Sequence, residues 1–147
     1  MSLKSWLMKK LAGDDSAALE LSPEESQLSG LNLQEVLGAH MAWKEKLTST
    51  LNGTSTERYD VATVSQDTLC VLGKWLYGPG KKSYSHLPEY EALRKIHADF
   101  HLCAGKVLVE FEKGDKLKAE KILKGTFREA SNQIQLELVS LFSSAKV

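Results

Sequence analysis

The chain has 147 residues and a mass of 16.3 kDa, which fits one domain of ordinary size. Its 19 Lys and Arg residues balance its 19 Asp and Glu residues, so the sequence lacks the basic excess that a nucleic-acid partner would require. It contains no apolar run near the roughly 20 residues that a transmembrane helix needs. With two cysteines and no export signal, we predict a cytoplasmic protein without a disulfide framework.

The first 25 residues differ in composition from the rest of the chain. Residues 1–13 form a short basic, amphipathic segment, whereas residues 14–25 carry five acids and no Lys or Arg. A shift of this kind is typical of a tether that leads into a folded domain. We therefore predict an N-terminal extension and tether at residues 1–25 and a single folded domain at residues 26–147.

Four helices are predicted from apolar residues that recur at steps of three and four. Capping residues, glycines and prolines limit these helices. The predicted helices lie at residues 33–51, 65–77, 88–111 and from Gly114-Asp115 to near the C-terminus. Helices of this length with short or moderate connections predict an all-α, antiparallel four-helix bundle.

Three of the four histidines lie on the apolar faces of these helices. His97 and His101 are about one turn apart and project from one face of the third helix, a spacing at which two imidazoles can chelate one ion. His40 lies on the core-facing side of the first helix, and Cys70 on the inner side of the second. Three nitrogens and one sulfur suit a closed, tetrahedral zinc site. Cys103, two residues after His101, is predicted to face away from this site.

Two other interpretations use the same residues differently. A histidine on an apolar face is more often a hydrogen-bonded core residue, and the chain would then be a metal-free bundle that dimerises. A zinc enzyme would need an open position for water, and the sequence shows no convincing general base beside Cys70. Spacing alone leaves zinc and core packing as alternatives. The candidate dimer interface consists of Val64, Leu69, Ile122 and Val139.

Three sequence blocks resemble those of a known family. They are HMAWK at residues 40–44, CVLGKWLYG at residues 70–78 and HADFH at residues 97–101. In this order they resemble the signature blocks of the chemoreceptor zinc-binding domain, which is a four-helix bundle. The resemblance extends over residues 33–141 and is specific in the combination of the blocks, because each block alone is a weak signal.

The resemblance implies that His40, Cys70, His97 and His101 hold one Zn²⁺. It also implies a regulatory, sensory role in bacterial signalling such as chemotaxis, and it makes a homodimer plausible. In that family the domain usually adjoins a chemoreceptor or a diguanylate cyclase, and this sequence contains neither the methyl-accepting coiled coil nor the cyclase domain. We therefore expect a stand-alone domain that acts through a partner signalling protein, with a fragment of a larger receptor or cyclase as the alternative. Oxidation of Cys70 would remove one ligand and add a redox input. Because four protein ligands leave no position for a reacting water, we predict no enzymatic activity and no catalytic residues.

Overall fold

The computed structural model describes residue 9, residues 12–13 and residues 27–145. The rest of the predicted extension at residues 1–25 lies outside the described residues. Most of the described chain is helical, which confirms the prediction of an all-α fold. Its one small sheet in this part of the chain is an antiparallel hairpin of β1 (Gln27–Leu28) and β2 (Leu31–Asn32). The hairpin turns at Ser29 and Gly30, which both have positive φ.

Two long helices begin where the sequence predicts them. The side chain of Asn32 caps the first by accepting a hydrogen bond from the backbone N–H of Glu35, at 2.9 Å. Pro88 occupies the first turn of the other, where its missing N–H costs nothing.

Among the described residues, none of the helices combines the length and the apolar character that a membrane span requires. The helices are α1 Leu33–Leu51, α2 Val61–Ser65, α3 Val71–Tyr77, α4 Pro79–Tyr84, α5 Pro88–Glu112, α6 Lys116–Lys124 and α7 Thr126–Ala145.

The second predicted helix is wrong in its limits. Ser65 ends α2 instead of opening a helix, and the chain leaves the helical conformation until Cys70 caps α3. Gly78 ends α3 directly before Pro79 begins α4. The fourth predicted helix is likewise divided, because Gly125 has φ −105° and ψ −103°, outside the helical region. The second and the fourth predicted helices are therefore each replaced by shorter helices in the structure.

Helix α5 occupies the centre of the fold and packs against α1, α2, α6 and α7. The residues that recur at steps of three and four along it are buried from Tyr90 to Leu108, whereas Phe111 is partly buried; Phe100 and Val107 are fully buried too. Because several helices cover α5, its buried surface is wider than one amphipathic stripe. The stripe predicted for the last helix, from Leu123 to Leu141, is also buried.

The predicted dimer interface is wrong in two of its four residues. Val64 and Val139 are only 7% and 1% exposed, because both pack inside the chain. Leu69 is 47% exposed, and Ile122 is partly buried against the core. A surface between two copies can therefore use Leu69 but not the two valines.

Candidate metal centre

The four predicted ligands come from three parts of the fold. His40 lies on α1, Cys70 directly precedes α3, and His97 and His101 lie one turn apart on α5. The three histidines are 0–5% exposed, whereas Cys70 is partly buried. The fold thus places three imidazoles and one thiol in its interior, between α1, α3 and α5.

The potential donor atoms of these side chains face one another. Sγ of Cys70 lies 3.2 Å from Nε2 of His97, 3.6 Å from Nε2 of His101 and 4.0 Å from Nε2 of His40. The Nε2 atoms of His97 and His101 are 3.0 Å apart, and all four donors lie within 4.8 Å of one another. A tetrahedron with zinc–ligand bonds of 2.0–2.3 Å has edges of about 3.3–3.8 Å. The observed separations lie around that range.

Two backbone carbonyls fix the tautomers of two histidines. Nδ1 of His40 donates to the carbonyl of Val36 at 2.8 Å, and Nδ1 of His101 donates to the carbonyl of Val64 at 2.9 Å. Because a carbonyl only accepts hydrogen bonds, each Nδ1 carries the proton, and Nε2 of each neutral ring keeps its lone pair. Metal-binding histidines show this arrangement, in which the second nitrogen donates to a carbonyl or carboxylate.

His97 is oriented differently from the other two histidines. Its Nδ1 is buried and has no hydrogen-bond partner among the described residues. Its ring instead lies edge-on to the rings of His40 and His101, with centroids 5.1 Å and 4.5 Å away. Packing against the neighbouring imidazoles, and not a backbone carbonyl, therefore sets the direction of Nε2 in His97.

Burial keeps all three imidazoles neutral at pH 7. It lowers the pKa of His40 to about 4, although the hydrogen bond that His40 donates to the carbonyl of Val36 opposes this shift. The pKa of His97 falls to about 2 through burial and the repulsion of His40 and His101, and burial lowers the pKa of His101 as well. Burial also raises the pKa of the Cys70 thiol, although the N–H of Gly73 opposes this. Neutral imidazoles are the form that binds a metal, and a bound cation stabilises the thiolate.

A comparison with known families finds a match to the segment that contains this cluster. Residues 40–108 match the family model of the chemoreceptor zinc-binding domain, and this segment includes all four donors. The chain carries a chemoreceptor zinc-binding domain. Zinc is accordingly the metal that fits the cluster. No curated protein and no solved structure matches the chain.

Cys70 of the chemoreceptor zinc-binding domain has a structural role that the sequence did not reveal. Its sulfur accepts a hydrogen bond from the backbone N–H of Gly73 at 3.3 Å and so caps α3. A Cβ at Gly73 would lie 1.8 Å from the carbonyl oxygen of Asp67, so only glycine lets the turn before Cys70 approach α3. This turn therefore places the sulfur at the end of α3 that faces the histidines.

A second glycine supports the same segment from the other side. A Cβ at Gly105 on α5 would lie 1.9 Å from the side-chain oxygen of Ser65, at the end of α2. The close approach brings α2 against α5, where the carbonyl of Val64 accepts the hydrogen bond from His101. Gly105 follows His101 by one helical turn, so the same face of α5 carries His101 and the surface against which α2 packs. Helix α2 in turn carries the carbonyl of Val64 that accepts from His101.

Two other residues of the chemoreceptor zinc-binding domain lie outside the cluster. Cys103 is partly buried on α5 and is not part of the group that could hold a metal ion. His86 is exposed in the segment between α4 and α5. Cys103 agrees with its predicted position away from the site, and both residues offer matched controls for substitutions of Cys70 and of the clustered histidines.

Proposed function

We propose that this chain is a zinc-binding regulatory domain of bacterial signalling in which His40, Cys70, His97 and His101 hold one Zn²⁺. The observation that supports it best is the convergence of three Nε2 atoms and one Sγ atom inside the fold. The folded domain comprises residues 26–147, and residues 1–25 tether it.

The chemistry of the donor set explains why the role is regulatory and not catalytic. A bound zinc ion supplies a link between α1, α3 and α5. The carbonyls of Val36 and Val64 orient two of the imidazoles, and the turn before α3 orients the thiolate. Four protein ligands complete a tetrahedron and leave no position for a reacting water, so we propose that the domain has no enzymatic activity.

The test is the amount of metal that the protein retains. The protein is purified without a histidine tag or added metal, dialysed, and analysed by elemental mass spectrometry. We expect near one zinc per chain, and near zero in Cys70→Ala and His101→Ala, because each substitution opens the closed tetrahedron. Cys103→Ala and His86→Ala are the matched controls and should keep their zinc. A protein without metal, or retention of zinc by both ligand variants, would contradict the proposal and favour a metal-free bundle.

We further propose that Cys70 gives the domain a redox input. Its thiolate attacks hydrogen peroxide, forming an S–O bond as the O–O bond breaks, and hydroxide leaves; the sulfur is oxidised by two electrons to a sulfenic acid. The product no longer offers a thiolate to zinc. The neighbours Leu69 and Val71 are 47% and 72% exposed, which supports access of a small oxidant to the partly buried sulfur.

Zinc release will follow the oxidation of Cys70. In a Cys103→Ala background, peroxide should release zinc to a chromogenic chelator in proportion to the loss of the Cys70 thiol, measured by mass spectrometry of thiol-labelled protein. Dithiothreitol should reverse both changes, because a sulfenic acid is reducible. Complete oxidation of Cys70 with zinc fully retained would contradict the redox role and leave the metal site itself unaffected.

We infer that the domain acts in the cytoplasm as a homodimer or on a partner signalling protein. Two-fold homodimers are the commonest oligomers, and the exposed Leu69 and Val71 beside Cys70 offer apolar surface near the proposed site. Light scattering coupled to size-exclusion chromatography should give twice the chain mass of 16.3 kDa. A mass equal to one chain at every concentration tested would leave a partner protein as the route for the output.

A further inference from the structure

The turn between α2 and α3 carries Cys70 at its end but has little support from its own backbone. In the described chain, no backbone hydrogen bond of ordinary distance and angle involves residues 67–69. Leu69 is 47% exposed, so its side chain does not anchor the turn in the core. Side-chain interactions and the close approach of the turn to Gly73 therefore fix the position of the sulfur.

The side chain of Asp67, within this turn, is tied to the far end of α3. The hydroxyl of Tyr77, the last residue of α3, donates to Oδ2 of Asp67 at 2.5 Å. A carboxylate acceptor makes this a charge-assisted hydrogen bond. The same bond is the main reason why the pKa of Tyr77 is raised, so the hydroxyl remains a donor at pH 7. It joins the two ends of the segment of residues 67–77, and Cys70 lies inside the loop that it closes.

The closed loop is also attached to α5, the helix that carries the paired histidines. Arg94 of α5 interacts with the hydroxyl of Tyr77, and Glu91 holds its guanidinium through hydrogen bonds of 2.9 Å and 2.5 Å. Tyr90 of α5 is buried, and its hydroxyl donates to the carbonyl of Leu76. The end of α3 is therefore fixed relative to the helix that presents two of the proposed ligands.

We propose that Tyr77 and Asp67 are positioning residues for the Cys70 ligand, a role that rests on the proposed zinc function. Neither residue belongs to the group whose donor atoms converge, so both act through Cys70. Their hydrogen bond holds the turn in the form that presents Sγ to the imidazoles before zinc binds. A preorganised ligand loses less conformational freedom on binding, so the bond increases the affinity for zinc and strengthens the link to the thiolate.

The charge of Asp67 is a different way in which this residue could act. A zinc ion held by one thiolate and three neutral imidazoles keeps a net positive charge, which a nearby carboxylate attracts. The hydrogen bond is favoured because it joins the two ends of the loop around Cys70. Substitutions at Asp67 that remove the charge and the acceptor separately distinguish the two effects.

The proposal is tested with three variants. Tyr77→Phe removes the donor and keeps the charge, Asp67→Asn keeps an acceptor oxygen and removes the charge, and Asp67→Ala removes both. Zinc affinity is measured by competition with a chelator, and the thiolate-to-metal charge-transfer band of the cobalt-substituted protein reports the bond to Cys70. We expect Tyr77→Phe and Asp67→Ala to weaken zinc binding about three- to tenfold and to reduce the band, and Asp67→Asn to weaken binding by about twofold or less.

Tyr84→Phe is the matched control for the loss of a tyrosine hydroxyl. The hydroxyl of Tyr84 also makes a side-chain hydrogen bond, with Oγ of Ser29 at 2.7 Å, but Tyr84 lies on α4, outside the loop. This variant should keep the native zinc affinity and the native cobalt band. The double variant with Tyr77→Phe and Asp67→Ala should bind zinc as tightly as Asp67→Ala alone, because both substitutions remove the same bond.

The outcomes separate this proposal from the zinc function. Native zinc affinity in Tyr77→Phe, or an equal loss in Tyr84→Phe, would overturn the positioning role while the metal site stands. An equal loss in Asp67→Asn and Asp67→Ala would assign the effect to charge and overturn it too. A native protein that binds no zinc would instead overturn the metal site. In the metal-free protein, the N–H of Gly73, which donates to Sγ of Cys70, should exchange faster in Tyr77→Phe than in Tyr84→Phe, and equal exchange would show that Tyr77 does not hold the turn.

Discussion

Removing zinc from the native protein will lower the midpoint of thermal unfolding by about 8–16 °C. A ligand that binds only the folded state contributes about 4 kcal/mol when its free concentration is about 1,000 times Kd. For a chain of this size, each kcal/mol changes the midpoint by about 2–4 °C. The structural cause is that the four ligands, which come from α1, α3 and α5, meet only in the folded chain. Zinc therefore links these helices in the folded state and does not find the same site in the unfolded chain.

The measurement is differential scanning calorimetry of one preparation with stoichiometric zinc and after exhaustive chelation. Cys70→Ala should have the same midpoint in both conditions, because it lacks the thiolate ligand, and this midpoint should lie below that of the chelated native protein, because the substitution also removes the cap of α3. His86→Ala should behave like the native protein, since His86 is exposed and outside the cluster. Identical midpoints for the zinc-loaded and chelated native protein would contradict a metal that links the helices.

Gly73→Ala will destabilise the fold by about 2 kcal/mol or more and will weaken zinc binding. The new Cβ would lie 1.8 Å from the carbonyl oxygen of Asp67 and 2.8 Å from its carbonyl carbon, and a backbone atom cannot rotate away. Overpacking of this kind costs about 1–3 kcal/mol or more, against at most about 1 kcal/mol gained from the higher helix propensity of alanine. The displaced turn precedes Cys70, so the sulfur moves away from the imidazoles.

Gly38→Ala is the matched control for this substitution. Gly38 lies within α1, and a Cβ there meets no heavy atom within 4 Å, so we expect a gain of up to about 1 kcal/mol from helix propensity. Urea unfolding measures both effects, and competition with a zinc chelator measures the affinity. Zinc affinity in Gly73→Ala equal to that of the native protein would show that the turn before α3 does not position Cys70.

The parts of the fold that the sequence predicts correctly depend on local signals. Asn32 and Pro88 mark helix starts through interactions within a few residues, and the stripe from Leu123 to Leu141 follows the helical period. The segment between α1 and α5 was predicted less well. Its course depends on two close approaches between distant residues, at Gly73 and at Gly105, and these leave no periodic pattern in the sequence.

The candidate site shows the same division. His97 and His101 are recognisable because their spacing of four is a property of one helix. His40 and Cys70 are candidates because they lie on the inner faces of two other helices, and the resemblance of the three blocks unites all four residues as one ligand set. The carbonyls of Val36 and Val64 were not predictable, because every residue carries a carbonyl and only the fold selects one. The apolar side chain of Val64 predicts a place in a dimer surface, whereas this side chain is buried inside the fold and the carbonyl of Val64 orients His101.

Helix α2 has only five residues, too few for stability on its own. It is held against α5 by the close approach of Ser65 to Gly105 and by the hydrogen bond between Val64 and His101. Local opening of α2 therefore requires the breaking of contacts with α5, and the two segments share one cooperative unit of unfolding. We therefore expect the exchange of the amide protons in α2 to depend on the central helix, although more than 20 residues separate the two helices in the chain.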